Sequence, residues 1–139
     1  MPLSKADREQ FLAEPHIGAL AVQEAPDRAP LVVPIWYDYV PGGELLILTE
    51  PDSRKGRAIK AAGRFSLMVD RTTPTVRYVS VEGPVTHIER GSREYTYNMA
   101  RRYLPADKAA EYTEFELSTM GEHAAFYLRP EHWISSDLG

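Results

Sequence analysis

The chain has 139 residues, 43% hydrophobic and 26% charged, a length suited to one domain with one core and a balance that excludes wholesale disorder. A formal net charge of −4 argues against general nucleic-acid binding, which neutralises many phosphates with Lys and Arg. With no cysteine, disulfides, thiolate nucleophiles and cysteine metal sites are excluded. Residues 1–8 lack the basic start and long apolar run of a signal peptide, and no window approaches the ~20 apolar residues of a membrane span. A single cytoplasmic domain over residues 1–139, with neither membrane nor nucleic acid as partner, is the expectation.

In chain order, Ser4 followed by Asp7 reads as a capping box that opens a short helix, with Ala6, Phe11 and Leu12 on its apolar side and its end before Pro15. Ile17 to Gln23 reads as a strand, and Ala25-Pro26-Asp27-Arg28 turns it into an extended run from Leu31 to Val40, rich in β-branched and aromatic residues. Pro41-Gly42-Gly43 leads into a third strand, Leu45 to Thr49. Asp52 or Ser53 caps a helix to about Ala62, and Gly63 stands where a C-terminal cap is expected. Phe65 to Asp70 is a fourth strand, and Thr75 to Glu89 a long fifth one, bent or bulged at Gly83-Pro84. Ser92 and Glu94 open a helix with Tyr95, Met99 and Tyr103 at four-residue spacing; Pro105-Ala106-Asp107 separates it from another through about Leu117. His123 to Arg129 is again strand-like. Five or six strands in hairpin order, with helices between them, favour an antiparallel barrel over a doubly wound sheet, and closing the barrel would remove exposed edges.

Two segments carry chemistry. Val32-Val33-Pro34-Ile35-Trp36-Tyr37-Asp38-Tyr39 offers a flat apolar wall, and Ser53-Arg54-Lys55-Gly56-Arg57, at a helix start, offers backbone N–H groups and positive charge. Together they suggest an aromatic cofactor bearing phosphate. Each has a plainer reading: Arg54, Arg57, Lys60 and Arg64 would also form a solvated helix face, and Trp36, Tyr37 and Tyr39 a packed core or subunit interface. Arg77 shares strand parity with Val79 and Val81 and points either inward to a ligand or into an ion pair at a barrel rim. There is no Gly-x-Gly-x-x-Gly or Gly-Lys-Ser/Thr phosphate loop and no Gly-x-Ser-x-Gly elbow; His16, His87, His123 and His132 show no metal-ligand spacing and read as surface or core residues.

Ser53-Arg54-Lys55-Gly56-Arg57 after a Trp-Tyr-Asp-Tyr strand, and Arg77-Tyr78-Val79-Ser80-Val81-Glu82-Gly83 on the long strand, resemble the pyridoxamine 5′-phosphate oxidase-like split β-barrels. Within them the pattern is most similar to the small flavin/deazaflavin oxidoreductases of actinobacteria, many of which use coenzyme F420 rather than FMN. The resemblance implies a mainly β (α+β) antiparallel split barrel with flanking short helices, and a homodimer with cofactor sites at the subunit interface. It places Val33, Pro34, Ile35 and Trp36 along the tricyclic ring with Leu48 and Thr49 on the neighbouring strand. It places Ser53, Arg54, Lys55 and Arg57 about the phosphate-bearing tail, and Arg77 and Tyr78 on a strand approaching the site. The implied activity is an F420-dependent reductase passing a hydride to an electron-poor small-molecule acceptor, with Tyr37, Tyr78 or water supplying the proton. The alternatives are an FMN-dependent oxidase or reductase of the same fold, and a non-enzymatic carrier of flavin, deazaflavin or haem. Pyridoxamine phosphate oxidation itself is not expected, because the segment after Trp133 is short.

Overall fold

Every strand pair of the sheet is antiparallel. The computed structural model describes residues 1–119 and 122–139. The elements are α1 (Lys5–Ala13), β1 (Gly18–Val22), β2 (Leu31–Ile35), β3 (Tyr37–Tyr39), β4 (Leu45–Thr49), α2 (Arg54–Ala62), β5 (Arg64–Arg71) and β6 (Arg77–Arg90). α3 (Arg93–Tyr103), α4 (Ala106–Thr119), β7 (Ala124–Leu128) and β8 (His132–Asp137) complete them, and the strands pair in the order β2-β1-β5-β6-β7-β4-β3 with β8 added to β6. This is the expected antiparallel split barrel with flanking helices.

Two places where one chain segment passes between sheets split the barrel. The run expected as one strand from Leu31 to Val40 is broken at Trp36: β2 pairs with β1, whereas β3 pairs with β4. The first and last strands of the order are thus consecutive in sequence, and the barrel closes through the chain at Trp36 rather than through a hydrogen-bonded ladder. The expectation that closure removes all edges is corrected accordingly. β2 keeps an open edge, and Pro34, which has no N–H to donate, lies on it.

The second crossing is on β6. Arg77 to Pro84 pair with β5, whereas the segment from Val85 pairs with β7, with a register shift between Val85 and His87. Gly83 sits at the switch because the β7–β8 turn presses on it: a Cβ there would lie 1.8 Å from the Arg129 carbonyl oxygen. The same turn is pinned by the N–H groups of Arg129 and Glu131, which donate to the carbonyls of Pro84 (3.0 Å) and Glu82 (2.9 Å).

Local signals account for the helices. Ser4 Oγ accepts from the Asp7 N–H at 3.1 Å, and Ser53 Oγ from the Gly56 N–H at 3.0 Å; Gly63 closes α2 at φ 72°. Phe11 and Leu12 of α1 are buried with Leu20, Tyr37, Ile47, Phe65, Leu67 and Phe126 in one core. Ala6, placed above on the apolar side of α1, is exposed; the third inward residue is Glu9, bonded to Lys5 (2.6 Å) and to the Tyr39 hydroxyl (3.2 Å). The count of five or six strands is corrected to eight among the described residues, partly by the Trp36 break and partly by β8, whose sequence His-Trp-Ile-Ser-Ser-Asp has little strand character of its own.

On the outer face of the larger sheet the registers align Pro34, Ala19, Met68, Ser80 and Ile134 in one row across five strands. The adjacent row is Val32, Ala21, Ser66, Glu82 and His132. Val32 is 60% and Ile134 66% exposed, so an apolar band crosses the face uncovered within one chain.

Candidate functional site

The break at Trp36 frees backbone groups of Tyr37 from the ladder, and α3 satisfies them. The Tyr103 hydroxyl accepts from the Tyr37 N–H at 3.1 Å and lies 2.8 Å from the His16 carbonyl, while Arg102 donates to the carbonyls of Tyr37 (2.7 Å), Ala13 (2.9 Å) and Glu14 (3.0 Å). With its neighbour held on both sides, the Trp36 indole stacks on the Tyr103 ring, centroids 4.8 Å apart at 12°, and tilts against Tyr112 at 5.1 Å.

Beside that indole is a cavity of about 200 Å³ between the sheet and the α3–α4 pair. Pro34, Ile35 and Trp36 form one wall and Leu48 of β4 the next; α3 contributes Thr96 and Met99, and α4 contributes Tyr112 and Glu116, with His123 ahead of β7. Four residues expected along the ring, Pro34, Ile35, Trp36 and Leu48, are therefore brought together. Val33 alternates to the barrel side and packs on the core. Thr49 is likewise buried, its hydroxyl 3.4 Å from that of Ser53, which ties the end of β4 to the start of α2.

The cations of α2 divide. Arg54 makes a two-pronged contact with Glu24, Nε at 2.6 Å and Nη2 at 2.7 Å, and holds that carboxyl below its usual range. Lys60 faces Asp52 at 3.7 Å and Arg64 faces Glu131 at 3.8 Å, as a solvated ionic face would. Arg57 donates to the Asp52 carbonyl at 2.6 Å. Lys55 is half-buried and has neither a hydrogen bond nor an ion pair among the described residues. Gly56 is required by packing: a Cβ would lie 2.3 Å from the Glu50 carbonyl oxygen, so only glycine lets this turn of helix close over the β4–α2 connection.

Arg77 and Tyr78 point to opposite faces. Tyr78 lies on the outer face, between Asp70 and Ser136 in register. Arg77 faces inward and pairs with Asp137 of β8, Nε and Nη2 each 2.9 Å from Oδ2, with its guanidinium 5.8 Å from the Phe11 ring centroid. The Gly139 N–H, the Thr75 hydroxyl and Arg77 together hold the Asp137 carboxyl down at about 2. A folded-state value below the ordinary 3.8 means stability that is present above about pH 4 and lost as the pH falls toward 2. Asp137→Asn will therefore be less stable than the parent at neutral pH, and the gap between their urea midpoints will close as the pH drops through that window.

Tyr37, considered above as a proton source, is fully buried; its hydroxyl lies 2.7 Å from the Leu12 carbonyl and 2.9 Å from that of Glu14, and burial pushes its pKa up. It is a core residue that anchors α1. What sequence reasoning missed is the part of the cavity lining that comes from α4 and the start of β7. His123 Nε2 lies 3.1 Å from Glu116 Oε2, both side chains largely shielded from solvent, and Tyr112 stands one helical turn from Glu116. Burial, and then the Glu116 carboxylate, push the Tyr112 hydroxyl up to about 12. The i, i+4 spacing of Tyr112 and Glu116 is visible in the sequence; their meeting with His123 is not.

A larger hollow of about 430 Å³ lies between α1 and β8, with Arg8 over the Trp133 ring at 4.6 Å. Of the aromatic strand only Tyr39 lines it, with none of the residues that the resemblance places about the cofactor, and its Lys5 and Arg129 are engaged by Glu9 and Glu131.

A curled antiparallel sheet that changes partners at Trp36 and Gly83, with an aromatic-walled cavity between the sheet and the α3–α4 pair, defines a split β-barrel of the flavin-binding oxidoreductase type. The chain belongs to the pyridoxamine 5′-phosphate oxidase family, whose profile matches residues 4–137. A solved structure named F420 reductase is 27% identical, with a TM-score of 0.70 over 91% of this chain and 94% of that one. A conserved hypothetical protein from Mycobacterium tuberculosis (23% identity, TM-score 0.72, 97% and 85% of the two chains) shares the fold. So does an FAD-binding protein from Mesorhizobium loti (21%, 0.66, 100% and 98%). No curated protein gives a significant match. Among the described residues no helix is long and apolar enough to cross a membrane.

Proposed function

We propose that the protein is a homodimeric F420-dependent reductase of small, electron-poor organic acceptors. The observation that carries this reading is the Trp36-walled cavity lined by Leu48 of β4, the strand that leads into an α2 N-terminal turn whose Lys55 has no partner among the described residues. Trp36, Leu48 and Met99 suit an aromatic ring system, and Lys55 with Arg57 suits a phosphorylated tail; the likeness to a structure named F420 reductase favours the deazaflavin over FMN.

Volume argues for two subunits. A ligand pocket commonly needs about 300 Å³ or more, and one chain supplies about 200 Å³ at Trp36 while leaving Lys55 outside the enclosure. Pro34 belongs both to the cavity wall and to the exposed row ending at Ile134, so a second copy seated on that face would border the cavity. When bound, the reduced deazaflavin supplies a hydride. The chain's part is to hold the ring against Trp36, neutralise the tail and exclude water.

Parallel titrations of cofactor-free protein with F420 and FMN, followed by tryptophan and cofactor fluorescence with the mass in solution recorded, test this. Micromolar or tighter binding of F420 by a dimer, weaker binding of FMN, and oxidation of reduced F420 by an activated enone are the expected results. Preference for FMN moves the activity to flavin chemistry, which the FAD-binding neighbour keeps as the second reading; tight binding without turnover on any acceptor indicates a carrier.

A further inference from the structure

We propose that His123, held by Glu116 on the wall of the Trp36 cavity, donates the proton that completes reduction of an acceptor bound there. This rests on the reductase reading above and assigns the step that reading leaves open.

The cavity lining combines apolar Trp36, Leu48 and Met99 with three titratable groups: Tyr112, whose ring lies against Trp36, and Glu116 from α4, and His123. From α3 only the uncharged Thr96 and Met99 face it, and the nearby Arg90 is engaged by Glu122. Of the three titratable groups, Tyr112 keeps its proton to about 12, and Glu116 is turned to His123 as its ion-pair partner. Imidazole alone exchanges a proton readily between about pH 5 and 8. Glu116 Oε2 lies 3.1 Å from Nε2, close enough to pair with the imidazole when it is charged, and Nδ1 has no hydrogen-bond partner among the described residues, which leaves it to donate. His123 is also anchored through its backbone, since its carbonyl accepts the Gly91 N–H at 2.9 Å.

The step balances. An enone gains a hydride at its β-carbon from the reduced cofactor, and the pair displaced from the C=C bond ends on the carbonyl oxygen as an enolate. That oxygen takes the proton from His123, the neutral imidazole recovers one from solvent, and the enol relaxes to the saturated ketone. Glu116 is a positioning residue, orienting the imidazole and stabilising its charge.

Two measurements test the assignment, one needing no cofactor. In a Trp133→Phe background, where Trp36 is the remaining tryptophan, protonated imidazole beside the cavity should quench the emission, giving a pH-dependent step that His123→Gln abolishes. In steady state His123→Gln should lower kcat about 100-fold or more and remove the alkaline decline of the parent profile, with F420 affinity and the KM for the enone within threefold; Glu116→Gln should lower kcat less and leave KM unchanged. If His123→Gln binds F420 and turns over with the parent pH profile, the donor role is overturned while the reductase reading stands. If the parent binds no F420, both are overturned together. A missing fluorescence step would separate His123 from the cavity regardless of cofactor.

Discussion

On the proposed F420 reading, replacing Lys55 and Arg57 together with alanine will weaken F420 binding about 100-fold, because two charge-assisted contacts to the phosphorylated tail would be removed at once. The fold should survive, since Lys55 has no partner among the described residues and Arg57 only braces the Asp52 carbonyl. The contrast is Arg54→Ala: that guanidinium is engaged by Glu24, so its loss should change affinity less than about tenfold. Isothermal titration on the three proteins decides between phosphate binding and a solvated ionic face. Equal, small effects would assign the whole cluster to the surface, whereas a large loss confined to the Lys55/Arg57 variant would assign those two to the ligand.

Gly83→Ala will lower the melting temperature by about 10 °C or more, from a loss of about 3 kcal/mol or more. A Cβ at 1.8 Å from the Arg129 carbonyl oxygen cannot be relieved by turning a side chain, because the obstructing atom is backbone. Either the β7–β8 turn must lift, breaking the hydrogen bonds from Arg129 to Pro84 and from Glu131 to Glu82, or β6 must change its bend at the crossing between sheets. Because Trp133 and Asp137 follow that turn on β8, the same variant should also disturb the Arg77–Asp137 pair. Thermal unfolding monitored by circular dichroism reads the loss, and an unshifted midpoint would show that the turn yields freely.

Helices and most strands were legible because their signals are local. Ser53 and Gly63 bracket α2 within one short segment, and Leu45 to Thr49 alternates inward and outward over its whole length. The bend near Gly83-Pro84 was also visible, since glycine followed by proline interrupts an otherwise alternating strand. The candidate ring wall was half legible. Pro34, Ile35, Trp36 and Leu48 line one cavity, yet the alternation that puts Leu48 there turns Thr49 into the barrel, and Val33 packs on the core.

By itself the sequence determined the kind of protein: a single barrel of antiparallel strands, a capped α2 preceded by an aromatic strand, and a cluster of cations at that cap. Tertiary structure decided which of those features face one another. Trp36 becomes a hinge between sheets because α3, more than sixty positions on, binds the backbone on its far side through Arg102 and Tyr103. β8 exists because β6 has an unpaired edge to offer, and with it Arg77 acquires Asp137 as a partner sixty positions away. His123 meets Glu116 only when α4 and the start of β7 converge over the cavity. Caps and alternation act over two to four residues and leave their mark in the sequence, whereas these pairings depend on where the folded backbone ends up, which no short stretch of residues encodes.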